Sequence, residues 1–396
     1  MIAVQTAALT TALAIAPLVQ PEGRPKIDTS GMRMEIALQR GVGYLTAAQS
    51  PEGAWMAFDK PHPAVTALAV AALAENPTIG RAHSSVRRGL DFVLKFVQPD
   101  GGIYAPDEGM QNYHTSVALM ALAAVNDPQH AKTLKNAQEF LKKLQWDEGE
   151  SHEANSPWYG GAGYGKSKRP DLSNTQLMLE ALRQSGLPAD DPTYQKALVF
   201  ISRSQMLDSA NDQPLADGAA DGGFIYTPAN DGESKAGTEV IGDKPRLRSY
   251  GSMTYAGFKS LLYAQVDRDD ARVKAALEWI RRHYSLEQNP NMPAEQAKEG
   301  LYYYYHVFAK AMQAWGQDTI TDAQGVPHSW RSDLRMTLIK QQNPDGSWVN
   351  TADRWYEGNP HLVTAYALLA LQATMTPPAP SPTKDTTATP AGGKSP

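Results

Sequence analysis

The sequence predicts an all-α fold of six helical hairpins, an inner ring of helices enclosed by an outer one, and three observations carry this. A paired pattern of one amphipathic and one almost wholly apolar helix recurs from residue 34 to residue 374. The apolar members share a register, with Thr66, Thr115, Thr175, Thr254 and Thr364 at matching positions. Between the members the chain repeats Gln, then Gly, then an aromatic residue, as "QSPEGAW" (49–55), "QPDGGIY" (98–104) and "QNPDGSW" (342–348). Self-similarity at a fixed period is the signature of a repeat architecture.

Each hairpin can be justified in turn. The first members, at 34–49, 83–98, 130–145, 192–205, 271–284 and 332–342, place apolar residues at helical spacing with charges between them, as helices wet on one side do. The second members, at 62–75, 113–125, 171–182, 250–262, 304–315 and 361–372, are apolar on nearly every face, which suits helices enclosed by others. In the connecting turns the Gly permits a tight reversal, the aromatic ring covers it, and the Gln amide can satisfy free backbone groups at a helix end.

Bulk properties narrow the function. The chain has 396 residues, 42% of them hydrophobic, and a net charge of −5 without long runs of either sign. That excludes wholesale disorder and gives no electrostatic footprint for nucleic acid. With no cysteine there is no disulfide, thiolate nucleophile or thiolate metal ligand. Residues 1–27 form an Ala-rich leader resembling the apolar part of a secretory signal, but no Lys or Arg precedes Arg24, so export and a plain flexible start both stay open. The repeats are expected within 28–376, and 377–396, rich in Pro, Thr and Ala, should be a flexible tail. No stretch is long and apolar enough to span a bilayer; peripheral membrane contact stays open.

The segment "RGVGYLTAAQSPEGAW" (40–55) fits at every defined position the repeat signature of squalene cyclases, [KR]-[GA]-x-x-[FYW]-[LIV]-x-x-x-Q-x-x-x-G-x-W. "NAQEFLKKLQ" and "KALVFISRSQ" keep its helical half; the fifth repeat has Tyr284 in place of Gln, and the third lacks the final aromatic. Over 34–374 the chain thus resembles the squalene cyclase and protein prenyltransferase β-subunit superfamily. That resemblance implies an α/α toroid, with an isoprenoid in a central cavity.

Connections from outer to inner helices are long and most returns are short, so the elaborated face should carry the site. The resemblance implies an Asp-x-Asp-Asp-Thr proton donor at the start of an inner helix. Here that register reads Asp171-Leu172-Ser173-Asn174-Thr175, with an alcohol at the acid position, which disfavours proton-initiated cyclisation. Capping of the helix by Asp171 or Ser173 is the simpler reading. Asp267, Asp269 and Asp270 spell the motif literally but fall on an inner-to-outer return, where capping accounts for them. Asp217, Asp221, Asp353 and Glu357, together with His306, are further acid or base candidates.

The superfamily's zinc set of Asp, Cys and His lacks its Cys here. His361 resembles the zinc His, and His62, His114 and His306 also fall near inner-helix starts, but no i, i+4 pair fixes two ligands, so a divalent metal is not supported by spacing. The basic clusters Lys166, Lys168, Arg169 and Lys244, Arg246, Arg248 precede adjacent inner helices and could hold a diphosphate; a solvated loop is the bland alternative. His114 and Tyr250 join them as ligand-binding candidates, and Tyr255 and Tyr302 to Tyr305 could line a wall or pack in the core. The expected partner is therefore an elongated apolar or isoprenoid small molecule, with catalysis left open. The alternatives are a peptide or glycan interaction module, or a carbohydrate lyase or hydrolase.

Overall fold

The computed structural model describes residues 30–241 and 244–375; the leader and tail of the sequence reading lie outside the described residues. Six helix pairs follow in chain order: α1 (Ser30–Ala48) and α2 (Pro63–Ala74), α3 (Ser84–Leu94) and α4 (Gln111–Val125), α5 (Ala131–Lys142) and α6 (Leu172–Gln184). Then come α7 (Pro192–Arg203) and α8 (Gly251–Tyr263), α9 (Ala271–Arg282) and α10 (Leu301–Trp315), α11 (Trp330–Gln341) and α12 (Pro360–Ala373). Each even-numbered helix packs on the next, and α12 packs on α2, so the inner helices close a ring. The outer helices surround it, with α1 against α11 and α12. The fold is an α/α toroid. Burial follows the periodicity: every residue of α2 is buried, whereas α3 buries one stripe, Val86, Leu90 and Val93 among it.

The repeated turn signature has a repeated geometry. Gly53, Gly101, Gly160, Gly222 and Gly346 adopt φ between 81° and 93°, a region that disfavours side chains. Each lies against the next outer helix. A Cβ on Gly53 would meet Arg88 O at 2.4 Å, on Gly160 Lys196 O at 1.8 Å, on Gly222 Ala275 O at 2.5 Å and on Gly346 Arg40 O at 2.4 Å. Two residues beyond each glycine, a backbone N–H donates to the shared threonine of the inner helix: Trp55 to Thr66, Ile103 to Thr115, Ala162 to Thr175, Phe224 to Thr254 and Trp348 to Thr364.

The glutamines complete the joint. Gln49 Nε2 donates to Gly53 O and to Ser85 O at the start of α3. Gln145, Gln205 and Gln342 do the same toward α7, α9 and α1. Gln145 and Gln205 reach their glycine carbonyls across 15 and 17 residues, so the long insertions leave the joint intact. Two repeats differ. In the second the operative glycine is Gly101 rather than Gly102, which brings Ile103 to Thr115 and turns Gln98 onto its own loop at Phe96 O and Tyr104 O. In the fifth, Tyr284 replaces Gln and its hydroxyl donates to Asp333 of α11, while Tyr304 and Tyr305 donate to Ser285 O and Leu286 O.

Gly160→Ala should therefore cost more than Gly186→Ala. Gly186 has a similar φ of 84° but open space around it. We expect about 1 kcal/mol for Gly186→Ala and at least about 2 kcal/mol more for Gly160→Ala in urea unfolding. Equal losses would show that the contact with Lys196 is dispensable.

Candidate functional site

The inner-helix N-termini and all six outer-to-inner connections surround one cavity of about 460 Å³. The connections contribute Phe58, Met110, Tyr164, Tyr226 with Lys235, Gly300, and Trp355 to Glu357 in turn. The N-terminal two turns of the inner helices, with the cap His62, add Val65, Tyr113, Ser173 with Asn174 and Leu177, Ser252 and Met253, Tyr303, and Leu362 with Tyr366.

The wall is mainly aromatic and aliphatic, and several of its tyrosine hydroxyls bond within the protein. The Tyr303 hydroxyl is 2.8 Å from Ser173 Oγ and accepts from Gln176 Nε2. Tyr113 bonds Tyr366, and Tyr226 bonds the Asp171 carboxylate. At the mouth Phe58 is 60% and Trp355 41% exposed. Phe58 stacks on Tyr356 at 4.1 Å, and its N–H donates to the Tyr356 hydroxyl. Phe58, Asp59, Trp355 and Tyr356 all adopt φ between 49° and 66°. Four left-handed non-glycine residues in two facing loops store about 1–2 kcal/mol each, and such strain gathers at ligand clamps.

Two buried carboxyl groups cap inner helices here. Asp171 accepts from Asn174 N at 2.8 Å and from Asn174 Nδ2; burial pushes its pKa up to about 6 against these bonds. Glu357 lines the cavity and accepts the N–H groups of Tyr302 and Tyr303 and the Asn350 amide. It substitutes for the side chain that Gly300, the N-cap of α10, lacks. Burial raises it to about 7.

The structure places the other sequence candidates as follows. Tyr250 lines the cavity, as does Tyr303 of its run; Tyr255, Tyr304 and Tyr305 are buried in the core. The basic clusters do not line it. Lys166 pairs with Asp100 at 2.8 Å, Arg169 with Glu233 at 2.5 Å and Arg248 with Glu239 at 3.9 Å, while Lys168 and Lys244 are exposed. Arg246 lines a separate cleft with Asp221, which holds Ser249, and Asp217 is exposed. Asp270 caps α9, on the return side.

The four histidines divide. His361 Nδ1 lies 3.1 Å from Met56 O. His306 is buried deeper, 3.6 Å from Glu180, whose carboxylate also meets Lys259. His62 and His114 come together, their ring centroids 5.3 Å apart, with Glu108 between them. No i, i+4 pair is needed to bring them together: α2 and α4 pack directly side by side, and the loop carboxylate of Glu108 spans the remaining gap. Burial lowers both imidazoles, His114 to about 4. Glu108, Lys235, Tyr164 and Tyr226 had no sequence signal beyond lying in long connections.

No protein-family model matches the chain, and no curated protein matches it. Solved structures do. A D-mannose isomerase is 11% identical over 89% of this chain and 99% of that one, with a TM-score of 0.57. A family 76 glycoside hydrolase from a bovine Bacteroides thetaiotaomicron strain is 14% identical over 86% and 78%, with a TM-score of 0.51. The type II terpene cyclase MstE from Scytonema is 17% identical over 87% and 99%, with a TM-score of 0.34. At these identities the likeness to the first two shows the fold and nothing further.

Glu357 sets a pH dependence. Its folded pKa of about 7 exceeds the ordinary 4.5, so the folded state holds the proton more tightly. Stability from this group is present at low pH and lost as pH rises from about 4.5 to about 7, up to about 3 kcal/mol. Urea unfolding at pH 5 and pH 8 should show this loss, and Glu357→Gln should flatten it. An unchanged slope in the variant would remove Glu357 as its source.

Proposed function

We propose that the toroid binds an elongated apolar molecule of isoprenoid character in its central cavity, with the polar end of the ligand at the mouth. The observation that carries this is the wall: six connections and six inner helices meet in one largely aromatic and aliphatic cavity, where the hydroxyls of Tyr303, Tyr113 and Tyr226 are engaged within the protein. Its volume suits a small-molecule site. A sugar site needs many donors and acceptors turned inward to replace water, and the aromatic and aliphatic majority of this wall favours an apolar ligand over one. Two of the solved toroids bear names of sugar enzymes, but a shared fold does not transfer a substrate.

Proton-initiated cyclisation stays disfavoured. Ser173 is hydrogen-bonded to Tyr303, and the Asp171 carboxylate is occupied by Asn174 and Tyr226. Glu357 is the one carboxyl group among the cavity-lining residues and therefore the residue to test first for any acid–base step. For an anionic head, Lys235 on the wall and Arg169 beside it are better placed than Lys244, Arg246 and Arg248, although Glu233 already neutralises part of their charge.

Titration with a fluorescent prenyl alcohol and its diphosphate tests both parts. Met253→Trp, which fills the cavity, should weaken both ligands at least about tenfold. Lys235→Ala should weaken the diphosphate more than the alcohol, and Lys244→Ala with Arg246→Ala should affect it less than Lys235→Ala. Affinity indifferent to Met253→Trp would overturn the cavity as the site.

A further inference from the structure

At the cavity wall, His62, His114 and Glu108 meet in an arrangement that hydrogen bonding does not complete. Glu108 Oε2 lies 3.3 Å from His62 Nε2 and 3.3 Å from His114 Nε2, and the three ligand atoms lie within 4.8 Å of one another. That is longer than a charge-assisted N–H···O bond, about 2.7–2.9 Å. His114 is 1% exposed, and its Nε2 has no hydrogen-bond partner among the described residues. A tetrahedral ion bound at about 2.0–2.1 Å to nitrogen and oxygen spaces its ligands about 3.3–3.4 Å apart.

We propose that His62 Nε2, His114 Nε2 and the Glu108 carboxylate hold a divalent transition metal, with a further position open to the cavity that His62 lines. Two imidazoles and one carboxylate suit zinc, whereas magnesium and calcium prefer oxygen throughout. Three protein ligands with an open position are the form zinc takes where it meets a substrate. The ligand for that position is an oxyanion, the diphosphate or carboxylate head of an apolar molecule. This deepens the cavity reading and, in its substrate, rests on it.

Two features oppose the ion and give the test its discrimination. His62 Nδ1 accepts from Val65 N at 3.5 Å and His114 Nδ1 from Ala105 N at 3.4 Å, so without metal the ring protons sit on Nε2. Binding moves each proton to Nδ1 and opens these contacts, which are at the outer limit of hydrogen-bond length. Lys60 Nζ, 2.8 Å from Glu108 Oε1, carries the same sign of charge as the ion; its side chain is 56% exposed and can turn into water.

The experiment is calorimetric titration of the chelator-stripped full chain with zinc chloride alone. One equivalent should bind. His114→Ala and Glu108→Gln should each lower the affinity at least about 100-fold, Lys60→Ala should raise it several-fold, and His361→Ala should leave it unchanged. Absence of stoichiometric binding overturns the proposal, as does binding that survives both His114→Ala and Glu108→Gln. Circular dichroism checks that these variants fold, and the gain in Lys60→Ala requires no damaged core. Because no lipid is present, zinc binding and prenyl binding fail separately.

Discussion

One contact recurs around the ring, and the rest of the structure depends on it: a glycine backbone laid flat against a carbonyl of the following outer helix. At five of the six junctions it fixes the distance between successive hairpins, because nothing larger than hydrogen fits between them. The threonine hydroxyl then fixes the inner helix to that turn, and the glutamine amide fixes the outer one. The last instance, Gly346 against Arg40, ties the sixth hairpin to the first, so the chain closes by the same joint that propagates it. An open array of helical repeats needs capping units with polar outer faces. A closed one does not, and the inner helices can be apolar on all sides.

Closure determines where the chemistry falls. Six inner helices point their N-termini at one axis, and each brings backbone N–H groups that have no intrahelical partner. Side chains supply what is missing: His62 for α2, Asp171 for α6, Asn359 for α12, and Glu357, from a different hairpin, for α10. The acids at the mouth are thus helix caps first. Burial raises their pKa values while the N–H groups hold them down, and burial prevails at both. A cap that also stays close to neutral protonation is chemically available without being built for it alone.

The joint was legible in the sequence because it repeats; the site was not, because it does not. Gln49, Gly53, Trp55 and Thr66 fall in a pattern that recurs often enough to be aligned, and the exception at Tyr284 keeps only the link to the next outer helix, through the side chain of Asp333. The second repeat shows the limit: "PDGG" offers two glycines, and only backbone geometry selects Gly101. Tyr250, His62, His114 and Glu357 could be named from their nearness to inner-helix starts. Glu108, Tyr164, Tyr226 and Lys235 lie in connections without periodicity, where nothing in the order of residues says which side chain turns inward. The charge clusters misled for a related reason. A run of Lys and Arg is visible in one dimension, but the Asp100, Glu233 and Glu239 that neutralise part of it come from elsewhere in the chain.

The same helices explain why the cavity has a floor. Along α6, Ser173, Asn174 and Leu177 face the cavity, Glu180 comes next, and Gln184 lines a cleft at the far end; along α8 the series is Ser252 and Met253, then Lys259, then Tyr263. On α10 it is Tyr303, then His306, then Lys310. Glu180, Lys259 and His306 therefore share one level, about one to two turns below the wall, at 1.5 Å of rise per residue. Burial works against the charge on Glu180, but Lys259, His306 and Lys310 outweigh it and hold the carboxyl well below its usual range. Such a pair is costly to bury and costlier to break, since removing one partner leaves an uncompensated charge. Inner helices that were apolar throughout would leave nothing polar in the middle of the ring. The ionic layer instead separates the cavity from the far cleft, leaving the cavity open at the Phe58 and Trp355 rim. A ligand bound there must enter and leave past the strained aromatic loops, which places control of access at the same end as the histidines, the acids and Lys235.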